Sequence, residues 1–184
     1  MSDSNLIAES AGAAGATARY SIGIDLGTTH CALSYVDRSA SDGDTVAQGV
    51  LDIPQLTGPA SVDAKPLLPS FLYLPHESEL TPADMALPWG AADGYVVGEF
   101  ARSRGAATPI RLVSSAKSWL CHPGVDRRAP LLPADAPAEV ARVSPLTASI
   151  RYLSHLRWAW DQAHPEAPFD AQDITVTIPA SFDP

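Results

Sequence analysis

The segment Tyr20 to Val36, YSIGIDLGTTHCALSYV, constrains this chain more than any other. Tyr20 to Asp25 reads as a short buried strand, Leu26 to Thr29 as a turn and His30 to Val36 as a second strand. Apolar runs this short, broken by a glycine-bearing turn, fit a hairpin and are too brief for helices. The turn carries chemistry as well as shape. Backbone N–H groups can converge on an anion only where no side chain blocks the approach, and Gly27 opens that approach. Thr28 and Thr29 add hydroxyl donors, and Asp25 places a carboxylate at the end of the strand. Phosphate oxygens suit the amides and hydroxyls, and a magnesium ion keeping its waters suits a single carboxylate. The spacing is not GxxxxGK[ST] leading into a helix. It is not GxGxxG either, because Gly23 and Gly27 stand four apart and the turn runs into a strand. The plain alternative is an ordinary hairpin whose Asp and Thr side chains satisfy turn amides.

Beyond the hairpin the pattern changes twice. Asp37 to Lys65 is polar and broken by glycine and proline, with a short strand expected at Val50 to Ile53. Ser70 to Leu74 reads as a strand fenced by prolines, which confine it to an edge. Tyr95 to Val97 reads as a further short strand, Glu99 to Ala106 as a helix, and Ser114 to Leu120 as a second helix bearing Lys117. Residues His122 to Val143 hold four of the chain's 17 prolines and read as an irregular surface excursion. The clearest helix follows: Ser144 can cap it, Pro145 suits its first position, and Leu146, Ile150, Leu153 and Trp160 recur at helical spacing until His164 and Pro165. Ile174, Val176 and Ile178 then alternate with threonines across a last strand, which Pro179 ends. Strands, helices and a returning strand predict an α/β domain with a mixed sheet, in which the last strand shares one sheet with the first two and the apolar face of the 146–160 helix packs on it.

Composition narrows the function. The chain has 184 residues, 46% hydrophobic and 18% charged, enough for one domain with a real core. A net charge of -9 speaks against broad nucleic-acid binding, which needs clustered cations, so any anion site must be local. Cys31 and Cys121 show no metal or disulfide spacing and read as incidental thiols. Residues 1–19 are small and polar, without the basic start and apolar run of a signal peptide, and read as a flexible tail. No run approaches the roughly 20 apolar residues of a membrane span, so a cytoplasmic location is expected.

The motif IGIDLGTTHCALSYV resembles the first phosphate motif of the DnaK-like, seventy-kilodalton heat-shock chaperones. Leu68 to Leu74 (LPSFLYL), Val97 to Pro109 (VGEFARSRGAATP), Val113 to Leu120 (VSSAKSWL) and Ile174 to Asp183 (ITVTIPASFD) resemble further pieces of that family, in the family's order. The resemblance implies the actin-like ATPase (ribonuclease H-like) fold, with residues 20–184 as its first lobe and 37–143 including an inserted, loop-rich subdomain. It implies ATP or ADP with Mg2+ as cofactors. Asp25 would face the hydrated magnesium, and Gly27, Thr28, Thr29 and His30 would cradle phosphate. Lys117 would be the catalytic lysine and Pro179 the switch proline. Implied partners are unfolded peptides and co-chaperones, with no nucleic acid and no membrane.

His30 departs from the aromatic residue common at its position in that family, which leaves its backbone N–H rather than its ring as the phosphate-facing group. The spans Asp37 to Lys65 and His76 to Gly94 are longer than the family's usual. The family's catalytic-relay glutamate, second phosphate loop and adenosine-binding lobe would all lie after Pro184. ATPase activity is therefore expected only of a longer protein. Two other readings stand beside it: a nucleotide-sensing interaction module that does not hydrolyse, and a kinase of the same superfamily.

Overall fold

The computed structural model describes residues 18–42, 45–91 and 94–177. In chain order they form β1 (Tyr20–Leu26), β2 (His30–Asp37), β3 (Gln48–Val50), β4 (Ile53–Gly58), β5 (Ser61–Lys65), β6 (Leu68–Pro69) and β7 (Leu72–Tyr73). There follow β8 (Ala86–Leu87), β9 (Gly90–Ala91), β10 (Val96–Val97), α1 (Glu99–Ala107), β11 (Leu112–Val113), α2 (Ala116–Leu120), α3 (Pro145–Ala163) and β12 (Asp173–Thr177). The main sheet has the order β12-β1-β2-β3, with β6 also pairing β2. β12 runs parallel to β1, and the other pairs are antiparallel, so the sheet is mixed and helices flank it. A parallel neighbour needs a long crossover, and the whole stretch from β2 to α3 supplies it.

β1 explains why the layers form. Its even positions, Tyr20, Ile22, Ile24 and Leu26, are buried, while Ser21, Gly23 and Asp25 face the other way. α3 covers the buried face. Trp160, fully buried, meets Tyr20 edge-on at 5.0 Å and Tyr35 at 5.4 Å between ring centroids, and its Nε1–H donates to the Ala167 carbonyl at 2.8 Å. Ser144 caps the helix, its Oγ accepting from the Thr147 N–H at 2.9 Å, with Pro145 in the first position.

The buried stripe of α3 differs from the one its largest apolar residues mark out. Pro145, Ala148, Ser149, Tyr152, His155, Leu156, Ala159 and Trp160 face inward, whereas Ile150 is 50% exposed and Leu153 packs only at the margin. Small residues let the helix lie close to the sheet, and three of its buried polar side chains find partners, while Arg151 Nη1 is buried without a hydrogen-bond partner among the described residues and its guanidinium lies 4.0 Å over the Tyr95 ring. Ser149 Oγ–H donates to the Pro145 carbonyl, Tyr152 O–H to Ser70 and His155 Nε2–H to Pro54, at 3.0, 3.2 and 2.8 Å.

Other boundaries shift for physical reasons. The expected strand Val50 to Ile53 straddles the join between β3 and β4, where the Leu51 N–H donates to Leu33 O at 2.9 Å. Residues 53–65, read as irregular, form the β4–β5 hairpin instead. The expected strand Ser70 to Leu74 shortens to β7, which joins the separate sheet β10-β7-β11, while β6 just before it joins the main sheet. The helix expected from Ser114 starts at Ala116, after β11. Gln55, fully buried in β4, ties the hairpin to α1. Its Nε2–H donates to the Leu67 carbonyl, and its Oε1 accepts the Glu99 N–H at 3.1 Å, replacing the cap that Gly98 cannot provide. A Cβ on Gly98, whose φ is 90°, would stand 2.8 Å from that same oxygen.

Of the expected tail, residues 1–17 lie outside the described residues, while Arg19 is held by ion pairs to Asp37 at 2.9 Å and Glu166 at 3.4 Å. Among the described residues no helix is long and apolar enough to cross a membrane.

His155 makes stability depend on pH. Burial holds its imidazole neutral and lowers its pKa to about 4, even though the Pro54 carbonyl favours the protonated form. An unfolded chain binds that proton near pH 6.5, so the contribution is fully present above that value and is lost as the pH falls toward 4. The loss should approach about 3 kcal/mol. Urea unfolding across pH 4 to 7 should show this slope in the wild type and a flatter one in His155→Gln. Equal slopes would mean that His155 does not titrate as described.

Candidate functional site

The turn between β1 and β2 is shaped from below. A Cβ on Gly27 would overlap the His30 carbonyl oxygen, so glycine is needed here for space. The Gly27 carbonyl accepts the Ser70 Oγ–H at 2.8 Å, and the Thr29 carbonyl accepts the Ser70 N–H at 2.8 Å. Thr28 and Thr29 are exposed, and neither hydroxyl has a protein partner among the described residues. His30 is half-buried and opens β2 opposite Pro69.

Asp25 projects from the sheet face opposite α3 and is exposed. Parallel pairing sets Thr177 beside it, and the Thr177 Oγ1–H donates to Asp25 Oδ1 at 3.0 Å. The carboxylate is thereby oriented, and it has no ion-pair partner among the described residues.

Lys117 lies on α2, partly exposed and without a carboxylate partner among the described residues. The residue that opens this helix, Ser115, has φ 54° and ψ 30°, a left-handed conformation that costs a non-glycine residue on the order of 1 kcal/mol and aims α2 after the sharp exit from β11. Lys117 and Asp25 act on one group, the Cys31 thiol. This thiol is fully buried, and burial pushes its pKa up. Hydrogen bonds with Ser70 and with the Gly27 backbone oppose that rise, Asp25 adds to it, and Lys117 opposes it. The lysine and the aspartate therefore both lie within electrostatic reach of the Cys31 thiol. Pro179 lies outside the described residues.

Two hollows among the described residues lie elsewhere. One, of about 580 Å³, sits on the sheet face opposite α3, against Gly23, Ser34, Gln48, Val50 and Thr175. The other, of about 470 Å³, lies between α2 and residues 132–136 and is lined by Ile110, Trp119, Leu132 and Asp135. Neither is lined by the Gly27–His30 turn. Among the described residues no group of three or more His, Cys, Asp or Glu could hold a metal ion.

Ser70, Thr177 and Cys31 were not among the candidate residues of the sequence. Ser70 has a visible cue, the Pro-Ser step inside LPSFLYL. Thr177 has none, because its place beside Asp25 depends on strand register. No protein-family model and no curated protein matches this chain.

The spatial demand on Gly27 is testable by unfolding. Gly27→Ala should lower stability by about 1–3 kcal/mol, the usual range for an overpacked site, whereas Thr28→Ala, at an exposed position, should stay within about 0.5 kcal/mol. Equal costs for the two would show that the turn opens freely around a new methyl group.

Proposed function

We propose that this chain is a nucleotide-phosphate-binding lobe of the actin-like ATPase (ribonuclease H-like) fold, of the DnaK-like chaperone kind. The observation that carries the reading is the Gly27 turn, closed so tightly that only glycine fits and pinned from behind by Ser70, with Asp25 and Lys117 both within electrostatic reach of Cys31. The mixed sheet, with β12 parallel to β1 and α3 packed behind, supports it.

The residues present suit a phosphate chain. Backbone amides line the turn, and the exposed Thr28 and Thr29 hydroxyls are uncommitted among the described residues. Asp25 would face Mg2+ through water, since a lone carboxylate suits a metal that keeps most of its own hydration. Bound there, the ion would neutralise phosphate charge. Lys117 would set a point charge against the phosphoryl group, as a compact ammonium does well. Its effect is largest where water is excluded, and the exposed turn excludes little water by itself. ATP hydrolysis, coupling to unfolded peptides and co-chaperone contacts are accordingly proposed for a protein that supplies a second lobe.

With contacts to phosphate alone, and the two hollows displaced from the turn, affinity should be poor. Calorimetry of the 184-residue chain should give a Kd on the order of a millimolar for ATP with Mg2+, about 4 kcal/mol, weaker when the metal is chelated. Turnover should not exceed background. In a two-lobed protein carrying these residues, Lys117→Ala should lower kcat about a hundredfold or more. Tight binding or turnover by the chain alone would contradict a half-site, and undiminished hydrolysis by the variant would remove Lys117 from the mechanism. Binding without hydrolysis in the two-lobed protein would favour the sensing module.

A further inference from the structure

Ser70 is 2% exposed, yet every polar group it carries is used. Its N–H donates to the Thr29 carbonyl at 2.8 Å, and its Oγ–H donates to the Gly27 carbonyl at 2.8 Å. With that proton committed, the Cys31 thiol, 3.3 Å away, is the donor to Ser70 Oγ. Its own carbonyl accepts the Tyr152 O–H at 3.2 Å, which fastens Ser70 to α3.

The two carbonyls held by Ser70 have a further consequence. In a planar trans peptide the C=O of one residue and the N–H of the next point in opposite directions. Drawing the Gly27 and Thr29 carbonyls inward therefore turns the N–H groups of Thr28 and His30 away from Ser70. The Thr28 N–H has no protein acceptor among the described residues. A serine buried between β6 and β7 thus determines which way the amides of an exposed turn face.

We propose that Ser70 is a positioning residue: it aims the Thr28 and His30 amides at a bound phosphate group, and Tyr152 holds it in place from α3. This rests on the reading of the turn as a phosphate cradle. Ser70 touches no ligand itself, and its effect passes through the two carbonyls. His30 belongs to the cradle through its backbone, which accounts for a half-buried imidazole at that position rather than a ring exposed over the turn.

Two readouts on the 184-residue chain, in a Cys121→Ser background, test this. The first is the rate at which a thiol reagent labels Cys31, which lies under the turn with no exposed surface. The second is affinity for ATP with Mg2+, measured well below the melting temperature of each variant so that the folded fraction is constant. Ser70→Ala should label about tenfold faster and bind about fivefold more weakly. Tyr152→Phe, which keeps the ring and loses one hydrogen bond, should move both readouts in the same direction by less. Unchanged labelling in Ser70→Ala would overturn the claim that Ser70 pins the turn. Faster labelling with unchanged affinity would reduce Ser70 to a structural residue and overturn the positioning role. If the wild type binds no nucleotide, the cradle reading falls separately, and labelling alone then decides whether Ser70 pins the turn.

Discussion

β1 is buried on one face and open on the other, and the rest of the molecule follows from that division. Tyr20, Ile22, Ile24 and Leu26 bring α3 against the sheet, because four apolar side chains in a row along one strand face cannot stay in water. The same alternation sends Gly23 and Asp25 to the opposite face, where Asp25 meets Thr177. One period-2 pattern therefore builds the core and presents the carboxylate. A one-residue slip in β1 would exchange the two.

α3 shows how much a closely packed interface depends on residues that hydropathy does not rank highly. Its contact with the sheet uses Ala148 and Ala159 for closeness, and Tyr152 and His155 for bonds reaching 82 and 101 positions along the chain, to Ser70 and Pro54. Each bond relieves a buried polar group that would otherwise cost about 1–3 kcal/mol. Each also joins α3 to a segment that would pack loosely by apolar contact alone. Gln55 does the same between β4 and α1.

The turn after β1 combines two demands, close approach of the His30 carbonyl to Gly27 and rigidity beneath the turn. The first comes from the glycine and the second from Ser70, brought there by the pairing of β6 with β2. Lys117 arrives by a third route, on a five-residue helix that follows the left-handed Ser115. Backbone strain held beside a candidate charged group fits the tendency of strained residues to gather where geometry matters for function.

The hairpin, its glycine turn, the capped start of α3 and the returning strand were legible in the sequence, because each depends on local rules: alternation, capping and proline punctuation. Gly27, Thr28, Thr29 and Asp25 could be singled out for the same reason, as neighbours in one short motif. The stripe of α3 was misread, since large apolar residues at helical spacing mark a stripe of their own, and only the sheet decides which side is covered. Thr177 had no local signal and Ser70 only the Pro-Ser step, because their roles consist of partners 152 and 43 positions away. By itself the sequence determined the first hairpin, the long capped helix and the returning strand. The tertiary structure alone decided what stands behind the hairpin turn and which carboxylate and ammonium act on the buried thiol, because register and crossover bring together residues that no local spacing relates.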